Sequence, residues 1–177
     1  AVVINTCCFI SDAKEESVNT ILDMAERRKN GQLQALLVTG CLAQRYSDEM
    51  QVEIPEVDAV LGTTAIDAIA DALDEVLKGQ QHNYIEDINK APQGGRHRVV
   101  TTGGYYAYLK IAEGCDKHCT YCIIPKVRGD YRSVPMEQLL KEAKELAEGG
   151  VKELILVAQE TTCLLYTSPS PRDRTRS

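Results

Sequence analysis

Apolar runs of strand length alternate with helical stripes along residues 1–79, and that alternation leaves few folds open. Residues 1 to about 7 form a continuous apolar run that ends in Asn5-Thr6-Cys7-Cys8. Asp12-Ala13-Lys14-Glu15 has capping-box spacing, and Ala13, Val18, Ile21, Leu22 and Ala25 then recur at helical intervals until Gly31. A second apolar run, Leu33 to Thr39, ends at Gly40-Cys41. A short helix is predicted from Leu42 to about Met50, and a strand at Asp58 to Leu61. Thr63 or Thr64 opens a third helix through Ile66, Ile69, Leu73, Val76 and Leu77, stopped by Gly79. Strand and helix in regular alternation predict an α/β fold, a parallel sheet with helices on its faces.

In such a sheet ligands gather at the C-terminal ends of the strands. Cys7 and Cys41 each lie just past a predicted strand end. If the two strands are neighbours, the thiols can share one metal centre; a small buried hydrophobe is the other reading of a strand-end Cys. Cys8 alternates to the opposite face and reads as packing.

Residues 80–104 read as a linker: Gln80-Gln81-His82-Asn83 is polar, Ala91-Pro92-Gln93-Gly94-Gly95 is turn-forming and Thr101-Thr102-Gly103-Gly104 is flexible. Short strands are expected within it at Tyr84 to Ile88 and His97 to Val100, and Arg96-His97-Arg98 reads as solvated charge. Residues 105–162 form a second unit. A strand from Tyr105 to Ala112 leads into Gly114-Cys115-Asp116-Lys117-His118-Cys119-Thr120-Tyr121-Cys122. Pro135 suits the first turn of a helix whose stripe is Met136, Leu139, Leu140, Ala143, Leu146 and Ala147. Gly149-Gly150 end it, and Val151 to Ala158 is predicted as a buried strand. One such β–α–β unit buries little, so further units are expected beyond it.

The three thiols of the Cys115 loop, at offsets of four and three, carry the strongest chemical signal. Structural zinc sites take four protein ligands, and His118 adjoins Cys119 too closely to complete one. A disulfide staple fits poorly with seven Cys and no export signal. The ferredoxin run orders its gaps differently, and Pro125 stands three residues after Cys122. Three thiolates can hold a cubane iron–sulfur cluster and leave one iron open.

Composition bounds the rest. The chain has 177 residues, 44% hydrophobic and 26% charged, as in soluble globular domains. No apolar run approaches a membrane span, so no membrane partner is expected. The formal charge of −6 argues mildly against a nucleic-acid surface and suits a basic protein partner better. The start reads as the interior of a strand, so the protein is expected to begin further upstream. Residues 163–177, with Pro at alternate positions and no apolar periodicity, read as a disordered tail. They look like translated adaptor or vector sequence joined to a truncated gene, which makes Cys163 accidental.

Cx3CxxC with an aromatic before its last Cys resembles the signature of radical S-adenosylmethionine (SAM) enzymes. Asn5-Thr6-Cys7, Glu16-Ser17 and Gly40-Cys41-Leu42-Ala43-Gln44-Arg45 resemble the N-terminal domain of the methylthiotransferase family within that class. Around the triad and after the second barrel strand, the match is to the ribosomal-protein branch. Its residues are Tyr106 to Asp116, Cys122-Ile123-Ile124-Pro125, Arg128-Gly129, Arg132-Ser133 and Leu156 to Thr162. Val134 and Glu160 depart mildly from that branch, where Arg and Asp are common.

The resemblance implies residues 1–79 as an auxiliary-cluster domain and 105–162 as the opening of a partial β/α barrel. It implies two 4Fe–4S clusters and SAM as cofactors. Cys115, Cys119 and Cys122 would hold the SAM-cleaving cluster, and Cys7 and Cys41 the auxiliary one, whose third Cys lies before residue 1. Tyr121 would lie beside the SAM adenine; Gln159 is either a SAM-side residue or a buried polar strand end. The implied reaction makes a 5′-deoxyadenosyl radical and adds a methylthio group to the β-carbon of an aspartate in a small-subunit ribosomal protein, in the cytoplasm. The alternatives are a tRNA adenosine methylthiotransferase, the one reading with a nucleic-acid partner, and a non-enzymatic iron–sulfur electron carrier. The electron donor and sulfur source are not implied. Without the first auxiliary Cys, the later barrel strands and a substrate-binding domain, this polypeptide by itself is expected to be inactive.

Overall fold

Leu36, Leu37, Val38, Val60 and Leu61 have no solvent exposure, the pattern of strands covered on both faces. The computed structural model describes residues 1–92 and 98–161. They fall into two compact units: Ala1–Lys90 with Thr120–Arg128, and Ala91–Cys119 with the chain from Gly129 onward.

The first unit runs β1 (Val2–Thr6), α1 (Ser11–Lys29), β2 (Leu36–Gly40), α2 (Cys41–Arg45), α3 (Ser47–Glu53) and β3 (Ala59–Leu61). A 3-10 turn (Ile66–Ala68), α4 (Ile69–Leu77) and β4 (His82–Tyr84) follow. The sheet is parallel throughout, in the order β1-β2-β3-β4. Alternation along the strands sorts the core. Ile4, Leu36, Val38 and Val60 pack with Ile21, Ala25 and Met50 on one face. Leu37, Ala59 and Leu61 pack with Ala72 and Val76 on the other. The short α5 (Ile124–Arg128) joins this unit through Val127, with Ile123 against the same core.

The second unit pairs β5 (Tyr106–Lys110) in parallel with β8 (Glu153–Val157), with α6 (Met136–Glu148) between them in sequence. β6 (Ala112–Glu113) and β7 (Arg132–Ser133) form an antiparallel clip across the base of the cysteine loop. Leu109, Ile111, Val134 and Leu139 form its core. Thr162 and the expected tail at 163–177 lie outside the described residues, as do Gln93 to His97.

Several local expectations need correction. The capping box does not form: α1 starts at Ser11 after an extended Ile10, with no side-chain cap. Asp12 instead sits in the first turn, where an acid suits the helix dipole. The segment read as linker supplies β4, because His82–Tyr84 completes the sheet beside β3. Val151 to Ala158 is not a fully buried strand: Leu156 and Val157 are exposed, since β8 pairs on one side only among the described residues. Met136 and Leu140 likewise face outward from the predicted α6 stripe. No helix among the described residues is long and apolar enough to cross a membrane.

Two polar contacts lock the first unit. Buried Asp58 accepts hydrogen bonds from Arg28 Nε (2.9 Å) and Nη2 (3.0 Å) and from the Leu36 amide (2.8 Å), tying α1 to the start of β2. The carboxylate in turn raises the pKa of the Arg28 guanidinium. In Asp58→Ala the Leu36 amide loses its partner and Arg28 its counter-ion. Urea denaturation is expected to show a loss of about 2 kcal/mol, held below the fully buried limit because Arg28 is partly solvated. The Tyr84 hydroxyl donates to Glu75 of α4, which pushes the phenol up to about 12 from its ordinary 10.0. Its stabilisation is therefore complete below pH 10.0 and fades as pH climbs through about 12. A tyrosinate absorbance titration should show one late-ionising phenol, and Tyr84→Phe should remove it.

Candidate metal centre

Backbone register brings the N-terminal thiols to one place in the fold. Thr6 stands opposite Gly40 in the β1–β2 pair, so Cys7 and Cys41 leave adjacent strands at the same end and the same level. Gly40 has φ 98, and a Cβ there would collide with the Thr6 carbonyl and approach Asn5 Oδ1 to 2.6 Å. Only glycine tolerates both the backbone angle and the close approach. Thr6 Oγ1 then donates to the Thr39 carbonyl (2.6 Å), while the Ala43 amide donates to that hydroxyl (3.4 Å) in the first turn of α2.

Each thiol has its own support. The Cys7 amide donates to Ser17 Oγ (3.1 Å), and Ser17 Oγ lies 3.2 Å from the Cys7 carbonyl. Cys41, half-buried at the start of α2, accepts a hydrogen bond at Sγ from Arg128 Nε (3.1 Å). Cys8 is buried in the core with its thiol pKa raised by burial and further by Cys41, which fits packing. Ser17 and Arg128 were visible in the sequence only as parts of family-like motifs; neither periodicity nor spacing pointed to a cysteine partner.

The second cysteine loop is held at its entrance. Gly114 has φ 79, and a Cβ there would strike the Asp130 carbonyl. The Cys115 amide donates to the Gly129 carbonyl (3.1 Å), and the Tyr131 amide to Asp116 Oδ1 (2.7 Å). Gln159, just past β8, uses both ends of its amide: Oε1 accepts from the Gly114 amide (3.0 Å) and Nε2 donates to Glu113 (2.9 Å). Glu113 also pairs with Lys110, and Lys117 with Glu160. His118 takes a left-handed backbone turn (φ 44).

Cys115 is buried, Cys119 exposed and Cys122 half-buried, on the segment that belongs to the first unit. Tyr121 is 90% exposed. The six described cysteines are all free thiols. Among the described residues no three or more His, Cys, Asp or Glu side chains converge as a metal site would. The donor set nevertheless suits iron–sulfur chemistry: thiols free of disulfides, with three on one short loop.

Residues 1–62 match Uncharacterized protein family UPF0004, and residues 109–168 match the Radical SAM superfamily. Both matched segments bear cysteines, just past strand ends in the first and on a strand-exit loop in the second. Over 161 residues the chain is 66% identical to the ribosomal protein uS12 methylthiotransferase RimO of Lachnoclostridium phytofermentans, across 91% of this chain and 37% of that protein. It is 52% identical to the protein of the same name from Clostridioides difficile, across 91% of this chain and 36% of that one. The chain spans a little over a third of the length of these curated relatives.

Gly114→Ala tests whether the loop entrance matters to the thiols. A non-glycine residue pays about 1–2 kcal/mol for the left-handed backbone alone, and here the collision with Asp130 adds to it. Gly150→Ala, with φ 99 and open space around it, carries the backbone cost only. Iron and sulfide analysis after anaerobic reconstitution should show Gly114→Ala holding less iron than the parent while Gly150→Ala matches it.

Proposed function

We propose that this chain is the cluster-binding portion of a radical SAM methylthiotransferase that modifies an aspartate β-carbon in the small-subunit ribosomal protein uS12, in the cytoplasm. The observation that carries the reading is the pairing, in one chain, of a UPF0004 segment with a radical SAM segment at 66% identity to a protein named for that reaction. In this reading residues 1–79 form the auxiliary-cluster domain and 105–162 the opening of the catalytic barrel.

Cys115, Cys119 and Cys122 hold one 4Fe–4S cluster, and Cys7 and Cys41 contribute to a second. When bound, a cluster with one open iron supplies the electron for reductive cleavage of SAM. The chain's own residues place the donors. Gly40 and Ser17 set the backbone around the N-terminal thiols, while Gly114, Asp116 and Gln159 set the start of the triad loop. Gln159 in this role acts on the loop before it acts on any substrate. Tyr121, exposed at the tip, remains open to stack on a nucleoside.

The full-length protein should therefore add methylthio mass to uS12 in ribosomes and none to tRNA. Mass on tRNA instead would replace the substrate assignment. Replacing any one of Cys115, Cys119 or Cys122 by Ser should bring SAM cleavage to background. Cys41→Ser should abolish methylthio transfer yet leave SAM cleavage measurable, and equal loss of both would contradict the division of roles. An electron carrier predicts a cluster whose EPR spectrum ignores SAM.

A further inference from the structure

We propose that Arg128 is a positioning residue for the N-terminal centre, donating from Nε to Cys41 Sγ and raising the reduction potential of the cluster that Cys41 holds. The inference rests on the reading of Cys41 as a ligand. A donor at 3.1 Å from a sulfur draws electron density from the thiolate, and the guanidinium adds a fixed positive charge beside it. Both effects favour the reduced, more negative state, and hydrogen bonds to ligand sulfurs are among the factors that set cluster potentials.

The contact is built into the fold. Val127 is 3% exposed in the core, and its carbonyl accepts from Thr63 Oγ1 (3.0 Å). Gln44 Oε1, from α2, holds the Thr63 amide (3.0 Å). α5 is thus pinned by the loop after β3, which is itself pinned by the helix that begins at Cys41. Arg128 ends α5 and approaches Cys41 from a fixed base.

The test uses the full-length protein, reconstituted without oxygen, with Cys115, Cys119 and Cys122 all replaced by Ser so that the remaining cluster reports on the N-terminal centre. Redox titration followed by EPR gives its midpoint potential, and iron analysis its occupancy. Arg128→Gln should keep the iron and shift the midpoint to a more negative value. Arg128→Lys, which keeps the charge without the planar Nε–H, should fall between. An unchanged midpoint in a fully loaded Arg128→Gln protein overturns the proposal. If Arg128→Gln fails to load, Arg128→Lys decides: a loaded cluster with a lowered midpoint supports it, and an unshifted or absent one overturns it. A triple-Ser parent that holds no iron would instead remove the ligand assignment of Cys41, a failure distinct from an unmoved potential.

Discussion

The near-contact of β1 and β2 at Gly40 is the constraint on which the placement of Cys7 and Cys41 depends. A parallel pair gives no symmetry to place two side chains together; only register does so. Here register sets Thr6 opposite Gly40, so the residues that follow both strands are the two cysteines. The approach is so close that any side chain at position 40 would meet the Thr6 backbone. A single methyl group would therefore force the strand ends apart or turn α2 away, moving Cys41 without touching a thiol. The Thr6 hydroxyl reinforces the same point from the other direction, bonding across the strand end to Thr39 and Ala43.

The cysteine loop of the second unit solves a similar problem by different means. Its ends are joined by a two-residue antiparallel clip, Ala112 with Ser133 and Glu113 with Arg132. So short a clip is marginal alone. It is reinforced by the Gly114 amide on Gln159, the Cys115 amide on the Gly129 carbonyl and the Tyr131 amide on Asp116. Every one of these holds backbone, which leaves the thiols unencumbered. The buried Glu113 would be costly if unpaired; Lys110 and Gln159 satisfy it, making a charged residue part of the loop's foundation.

Much of this was legible in the sequence because burial and period agree there. Leu33 to Thr39 reads as a strand, and Leu36–Gly40 is one, since residues 36 to 38 are buried on both faces whichever way they point. The neighbouring placement of Cys7 and Cys41 followed from strand-end logic once β1 and β2 were paired. What failed to read was set by tertiary contact. Nothing local marks His82-Asn83-Tyr84 as a strand; β3 offers an open edge and Glu75 takes the tyrosine hydroxyl. Asp12 and Glu15 have the right spacing for a cap, yet the helix takes in Ser11 and leaves the cap unmade. Gln159 looked like a cofactor residue or a buried polar one from its strand-end position. Its two amide bonds, to residues 45 and 46 positions away, could not be seen from sequence.

The contrast between anchored backbone and unconverged thiols follows from what metal binding contributes. Exposed Cys7 and Cys119 gain no burial from the fold, whereas a metal ligand gains its bond energy only when the metal arrives. A fold that clamped three thiolates together beforehand would hold like charges at close range, at a cost in Coulomb energy. Fixing backbone amides and carbonyls near the cysteines, instead of the sulfurs, avoids that cost. Ser17 does this for Cys7, and the Gly129 carbonyl does it for Cys115. Cys41 is the exception: its sulfur itself accepts a hydrogen bond from a side-chain donor, Arg128 Nε. That difference singles out Cys41 as the thiol whose sulfur a neighbouring side chain contacts directly, and the contact comes from the same Thr120–Arg128 segment that carries Cys122.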